Sequence, residues 1–148
     1  MEKATRSPRE VVEQVRRMVA GEGVRFADLF AADGVLRYPF APPGMPAELV
    51  GRDAIAAYHG AAAGRRSMFD MEGVDIVVHD TADPEVVIAE IEHHGHSHVT
   101  GEPYRFRALG VIRVRDGEIV SYDDYMDPIA MARLLGRTPD LVAALSAA

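Results

Sequence analysis

From Met68 to Met126 the sequence changes character every second residue, and three short interruptions break the alternation: Asp83-Pro84, Thr100-Gly101 and Asp116-Gly117. Period two marks a half-buried strand, and connections this short join antiparallel neighbours, because a parallel pair needs a crossover of a dozen or more residues. The spacing predicts four long strands in one meander: Met68–Val78, Glu85–Val99, Tyr104–Arg115 and Glu118–Met126. Such a sheet has one apolar face to cover, and the cover must come from the first half of the chain.

That half reads as helices. Ser7 caps a helix with Pro8 at its first position and Glu10 closing a capping box, and Val11, Val12, Val15, Met18 and Val19 recur at helical spacing until Gly21 and Gly23. A second short helix is expected over Arg25–Phe30. Asp33-Gly34 then turns the chain into a first strand, Val35–Phe40. The proline-rich Ala41–Pro46 reads as a surface loop able to act as a lid. Gly51–Arg65 is a third, alanine-rich helix, Pro128–Leu135 a closing one capped by Gly136, and Thr138-Pro139 opens a terminal arm. The chain is expected to be a single domain over 1–148, with its core at about 7–136 and a helical arm at 137–148. Helices followed by a meander give an α+β fold with helices on one face of the sheet. Curved around them, the sheet becomes a cone whose interior suits a small molecule.

Strand parity then sorts the side chains. Read as a three-residue loop with Gly117 in a left-handed bulge position, Arg115-Asp116-Gly117 sets Val114 opposite Glu118, Ile112 opposite Val120, Gly110 opposite Tyr122 and Ala108 opposite Asp124. One face collects Phe106, Ala108, Gly110, Ile112, Val114, Val120, Tyr122, Asp124 and Met126; Asp124 is its only acid. The other carries Arg105, Arg107, Arg113, Ser121, Asp123 and Tyr125, a polar surface or a subunit interface. A loop over 100–103 sets Glu90 opposite Arg113 and His96 opposite Arg107. It leaves Val87, Ala89, Ile91, His93 and Ser97 inside, with His93 opposite Gly110 and roughly 6–10 Å from Asp124.

A carboxylate inside an apolar face is costly unless it is partnered or used. The neutral form is favoured there, so the Asp124 pKa is expected to rise above ~3.9, which makes it a usable acid or base near neutrality. Asp123 reads as a surface acid and Asp127 as the N-cap of the closing helix. His94, His96 and His98 share the outer face about 7 Å apart, and they read as surface histidines with no metal site. The chain has no cysteine, which removes disulfides, thiolate nucleophiles and cysteine-bound zinc and suits a reducing cytoplasm. Its net charge of −7 argues against a nucleic-acid partner. No apolar run approaches the ~20 residues of a membrane span, and MEKATRSPRE is no signal peptide. A cytoplasmic protein handling something small is expected.

Gly51-Arg52-Asp53-Ala54-Ile55, Thr100-Gly101-Glu102-Pro103-Tyr104, Val114-Arg115-Asp116-Gly117 and Asp124-Tyr125-Met126-Asp127-Pro128 together resemble the SnoaL-like proteins. These belong to the nuclear-transport-factor-like (cystatin-like) superfamily that also holds ketosteroid isomerase and limonene epoxide hydrolase. The resemblance spans roughly Ser7–Gly136, and the last block is most similar to the phenazine-biosynthesis A/B subgroup. It implies a cone-shaped α+β barrel that commonly dimerises through its sheet. It also places Asp124 at the last-strand catalytic carboxylate. The histidine that the phenazine proteins use in the helix matching Gly51–Arg65 falls on Tyr58, with His59 one residue on. The Arg and Asp that the epoxide hydrolases use on the strand matching Glu85–Val99 are missing, which disfavours epoxide opening.

The resulting expectation is a cofactor-independent, isomerase- or cyclase-like acid–base enzyme acting on a small hydrophobic carbonyl metabolite, with secondary-metabolism chemistry. Asp124, His93 and Tyr58 are its candidate catalytic residues. Tyr38, His59, Phe106, Tyr122 and Met126 are its candidate substrate contacts. His93 reads equally as a pocket histidine and as a catalytic partner. The alternative is a non-catalytic ligand-binding or dimerisation module of the same fold, and fold does not decide between them.

Overall fold

The computed structural model describes residues 5–61 and 67–147. Helix α1 (Pro8–Val19) starts as the capping box requires: the Glu10 N–H donates to Ser7 Oγ at 3.2 Å and the Ser7 N–H to Glu10 Oε1 at 3.2 Å. Its buried face is Val11, Val12 and Val15, and full burial stabilises each by about 1.5–3 kcal/mol. A 3-10 turn (Phe26–Leu29) leads into β1 (Phe30–Arg37), and β2 (Glu48–Val50) and α2 (Arg52–Ala61) follow the proline loop. The remainder of the expected helix Gly51–Arg65 lies outside the described residues. Strands β3 (Phe69–Asp80), β4 (Val86–Ser97), β5 (Pro103–Arg115) and β6 (Glu118–Met126) then precede α3 (Pro128–Leu134) and α4 (Thr138–Ala147). No described helix is long and apolar enough to cross a membrane.

The strands form one open sheet in the order β2-β1-β6-β5-β4-β3. The last four are antiparallel sequential neighbours, as the meander requires, and β1 pairs with β6 in parallel. The cone is therefore not closed into a barrel. α1 lies against β3, β4 and β5, and α2 against β1 and β2. Between helices and sheet lies a core that includes Phe30, Leu36, Ile55, Ala89, Ile112 and Ile119, each fully buried.

The structure corrects three expectations. The first strand begins at Phe30 and ends at Arg37, instead of running over Val35–Phe40. Asp33-Gly34 is absorbed in a bulge that sets Phe30–Val35 against Ile119–Ser121, so the supposed turn is a kink inside a strand. The second correction concerns the last hairpin, which has a two-residue turn. Asp116 (φ 52°) and Gly117 (φ 79°) are both left-handed, and Arg115 pairs with Glu118. A bulge between Arg113 and Val114 shifts the ladder once more, so Ile112 faces Tyr122 and Gly110 faces Asp124. Turn and bulge move the register by two residues in total. Parity survives, and Asp124 still faces inward. Near the turn, however, Ile119 takes the buried place expected of Val120.

The third correction lies in the hairpin before it. Ser97 Oγ accepts from the Val99 and Thr100 N–H groups at 3.1 and 3.3 Å, so the turn starts at Ser97, two residues early. His93 consequently pairs with Phe106 and not Gly110, and Glu92, rather than His96, lies opposite Arg107. Glu90 bonds His79 at 2.7 Å instead of facing Arg113, which reaches Asp83 and Glu85. The outer histidines each face an acid: His96 with Glu72 at 2.5 Å, His98 with Asp70 at 2.8 Å, and His94 with Asp75 at 4.0 Å.

Candidate active site

Three elements carry polar groups to the open end of the inner face. In α2, Ile55 anchors the helix to the core, and Tyr58 and His59, three and four residues on, share its face. The chain leaving β1 is held by the Tyr38 N–H donating to the Ala47 carbonyl at 2.8 Å, which fixes a tyrosine only 6% exposed. β6 supplies Asp124 immediately before α3, whose N-cap is Asp127: Oδ1 accepts from the Ile129 and Ala130 N–H groups at 2.9 and 3.1 Å. The capped helix then presents Met131, Leu134 and Leu135 to the same space.

The result is a cavity of about 230 Å³. Of the residues singled out by the sequence, Tyr38, Tyr58, His59, His93, Phe106, Asp124 and Met126 all line it, joined by Met45, Phe69, Met131, Leu134 and Leu135. A cleft of about 370 Å³ between the proline loop and α3–α4 adjoins it through Met45, Tyr58, Met126, Met131 and Leu135. A broader groove of about 660 Å³ lies on the outer face, where Phe40, Val77, Leu109 and Tyr125 meet Glu92 and Arg107.

Tyr122 is the exception among the expected contacts. Its ring packs edge-on against Phe26 at 5.3 Å, beneath the floor of the cavity. It fits there because Gly110 has no side chain: a Cβ at that position would stand 2.9 Å from the Tyr122 hydroxyl. Burial, with smaller contributions from the Asp124 charge and Tyr38, pushes the Tyr122 pKa well up, so it is a neutral structural phenol.

Asp124 retains some exposure, but its Oδ1 is buried and has no hydrogen-bond partner among the described residues. Desolvation alone pushes its pKa up to about 7. Burial acts on His59 in the opposite sense and lowers its pKa, which keeps the imidazole neutral; its Nε2 lies 3.4 Å from the Tyr38 hydroxyl. His93 Nδ1 and the Tyr104 hydroxyl are 2.9 Å apart, and the His93 ring stacks on Phe69 at 5.7 Å. Its place opposite Phe106 moves His93 along the strand from the Asp124–Gly110 pair. An acid with a raised pKa, a neutral imidazole and several phenols thus line one cavity, and each is a group able to exchange a proton or form a hydrogen bond with a bound molecule.

The sequence reading missed Met45, Phe69, Met131, Leu134, Leu135 and the Tyr104 partner of His93. Helical spacing in α3 could have signalled Met131, Leu134 and Leu135, whereas Met45 sits in a proline loop that has no period to read.

Fold and cavity together define an open α+β cone with an inward-facing acid, Asp124, whose Oδ1 is buried. The model of the SnoaL-like domain matches residues 11–122, and the chain belongs to that family. An uncharacterised PhzA/B-like protein of Pseudomonas aeruginosa is 31% identical over 126 residues, covering 85% of this chain and 87% of that protein. A solved structure from Bacillus subtilis, of a protein provisionally called an isomerase, superposes with a TM-score of 0.71 at 30% identity, covering 86% of this chain and 94% of that one. A phenazine biosynthesis-related protein of P. aeruginosa shares the fold at a TM-score of 0.57 and 22% identity, over 93% of this chain and 90% of its own. The SnoaL-like fold family includes isomerases and cyclases.

Proposed function

We propose that this chain is a cofactor-independent acid–base enzyme that moves protons on a small hydrophobic carbonyl compound, in an isomerisation, aldol-type cyclisation or condensation of secondary metabolism. The observation that carries the proposal is Asp124: an inward-facing carboxyl with an unpartnered buried oxygen and a pKa raised to about 7. A purely structural acid would be solvated or paired with an arginine. With a pKa near the working pH, Asp124 takes a proton from the carbon beside the carbonyl and returns it to another position. Neutral His59, with Tyr38, Tyr58 or the His93–Tyr104 pair, donates a hydrogen bond to the carbonyl oxygen as enolate charge develops.

The test needs no knowledge of the natural substrate. Exchange of α-protons of simple cyclic ketones into heavy water is followed by NMR. The wild-type protein is expected to accelerate exchange, with a rate rising through pH 7, and Asp124→Asn to be slower by about 10²–10⁴-fold. Equal rates for both proteins across the panel would overturn the proposal and leave the ligand-binding module as the reading.

The proposal includes a homodimer formed through the outer face of the sheet. Phe40 (61% exposed), Val77 (54%) and Leu109 (37%) lie there beside Tyr125 and Arg107, and aromatic residues and arginine are enriched in interfaces. Light scattering at micromolar concentration is expected to give twice the chain mass, and a monomer would refute this part.

A further inference from the structure

The inner cavity is unusual in its charge. Among its described lining residues there is one acid, Asp124, and no arginine or lysine. Around that acid stand the titratable groups Tyr38, Tyr58, His59, His93 and Tyr122, of which His59 is held neutral by burial. Elsewhere in the fold the acids meet cations: Glu92 binds Arg105 and Arg107, Glu85 binds Arg113 and Arg115, and Asp123 binds Arg37. Asp124 is left with an oxygen that lacks a donor. The cavity around it is otherwise lined by aromatic and thioether residues, Tyr38, Tyr58, Phe69 and Phe106 with Met45, Met126 and Met131. Aromatic faces attract cations, and more strongly once the cation is desolvated. An anionic ligand placed here would add repulsion to a carboxylate already short of solvation. A cationic one would relieve it.

We infer that this cavity binds its ligand through a protonated amine, held by the Asp124 carboxylate and the surrounding aromatic rings, so that the ligand class is a small hydrophobic ammonium compound. The inference rests on the reading of this cavity as the ligand site, and it narrows the carbonyl substrate to one that also carries an amine. The inner chamber has a volume of about 230 Å³. The rest of a longer ligand lies in the adjoining cleft, whose rim carries Arg137 and Asp140.

Calorimetric titration with benzylamine, benzyl alcohol and benzoate, which have nearly the same shape but different charge, tests it. At pH 8 benzylammonium is expected to bind at least about tenfold tighter than the alcohol, in line with a charge-assisted contact in a desolvated site. Below pH 7 the preference should fall about tenfold per pH unit as Asp124 takes up its proton. Asp124→Asn should lose the preference while still binding benzyl alcohol, which also shows that the variant is folded. Alcohol or benzoate binding as tightly as the amine at pH 8 would overturn the ammonium assignment and leave the cavity as a ligand site. An amine preference unchanged in Asp124→Asn would overturn it as well. Failure of all three probes to bind would overturn both this inference and the site reading. Amine binding without ketone proton exchange would sustain the inference and remove the acid–base chemistry.

Discussion

At the outer face Glu85 accepts hydrogen bonds from Arg115 and Arg113, and these draw its pKa down to about 2; Asp124 on the inner face, whose buried Oδ1 has no partner among the described residues, is pushed up to about 7. The two carboxyls differ little as isolated groups. Glu85 keeps a third of its side chain exposed, and its shift comes from donors that prefer the ionised form and outweigh a partial loss of water. Asp124 owes its shift to the loss of water. A large pKa shift therefore marks a candidate for chemistry only when its cause is known. The outer face is dense in ion pairs that only hold strands together, whereas the inner face has one costly carboxyl and no described structural use for it.

The sharpest way to break this contrast is Asp124→Asn. In the folded chain Asp124 keeps its proton up to about pH 7, and on unfolding its pKa returns towards 3.8. Ionisation thus favours the unfolded chain, so this group lowers stability as pH rises from about 4 to about 7, by up to roughly 4 kcal/mol. Thermal melts of the variant should lack this decline and run no lower than the parent at pH 8. A clearly lower melting point there would mean that ionised Asp124 is held by partners.

Glu85→Gln should act with the opposite sign and less strongly, because water screens an exposed pair. The depressed pKa of Glu85 contributes stability that is present above 4.5 and lost as pH falls towards about 2. Urea midpoints of parent and variant should converge across that window; a gap that persists at pH 2 would show that Glu85 acts through packing. The smallest effect is expected at His98, whose pKa is raised by Asp70 and by the Ser67 carbonyl. Its contribution is complete below the ordinary value of 6.5 and disappears as pH rises through the folded one. His98→Gln should differ slightly from the parent at pH 5.5 and not at pH 9, and a difference confined to pH 9 would contradict the assignment.

Faces were legible in the sequence except beside the last turn, where Ile119 and not Val120 is buried; pairings were not. Alternation alone determined that Asp124 and His93 point inward, because a register error of two or four residues leaves parity intact. Their neighbours depended on three local events that periodicity does not encode: Ser97 capturing its turn early, the two-residue turn at Asp116-Gly117, and the bulge between Arg113 and Val114. The same limit explains Tyr122. It lies on the correct face, but whether it enters the cavity depends on Gly110 leaving room for its ring below the floor. The capping signals at Ser7 and Asp127 were read correctly because each is a local bond between a side chain and nearby N–H groups. Met45 and Phe69 were missed because three-dimensional convergence, not spacing, brings them to the cavity.

The long β3 strand sits at the rim of the sheet with no described strand paired along its far side. A 12-residue edge with Val74, Ile76, Val77 and Val78 is a template on which a second chain could add a strand and begin to aggregate. Two properties blunt it. The bulge between Met71 and Gly73 interrupts the straight run of backbone donors and acceptors. Asp70, Glu72, Asp75 and Asp80 then charge the same strand, so two copies brought edge to edge would repel. His98 accordingly has a second effect on solubility: the proton that Asp70 helps it hold offsets part of that repulsion, and the edge becomes stickier as the solution becomes more acidic.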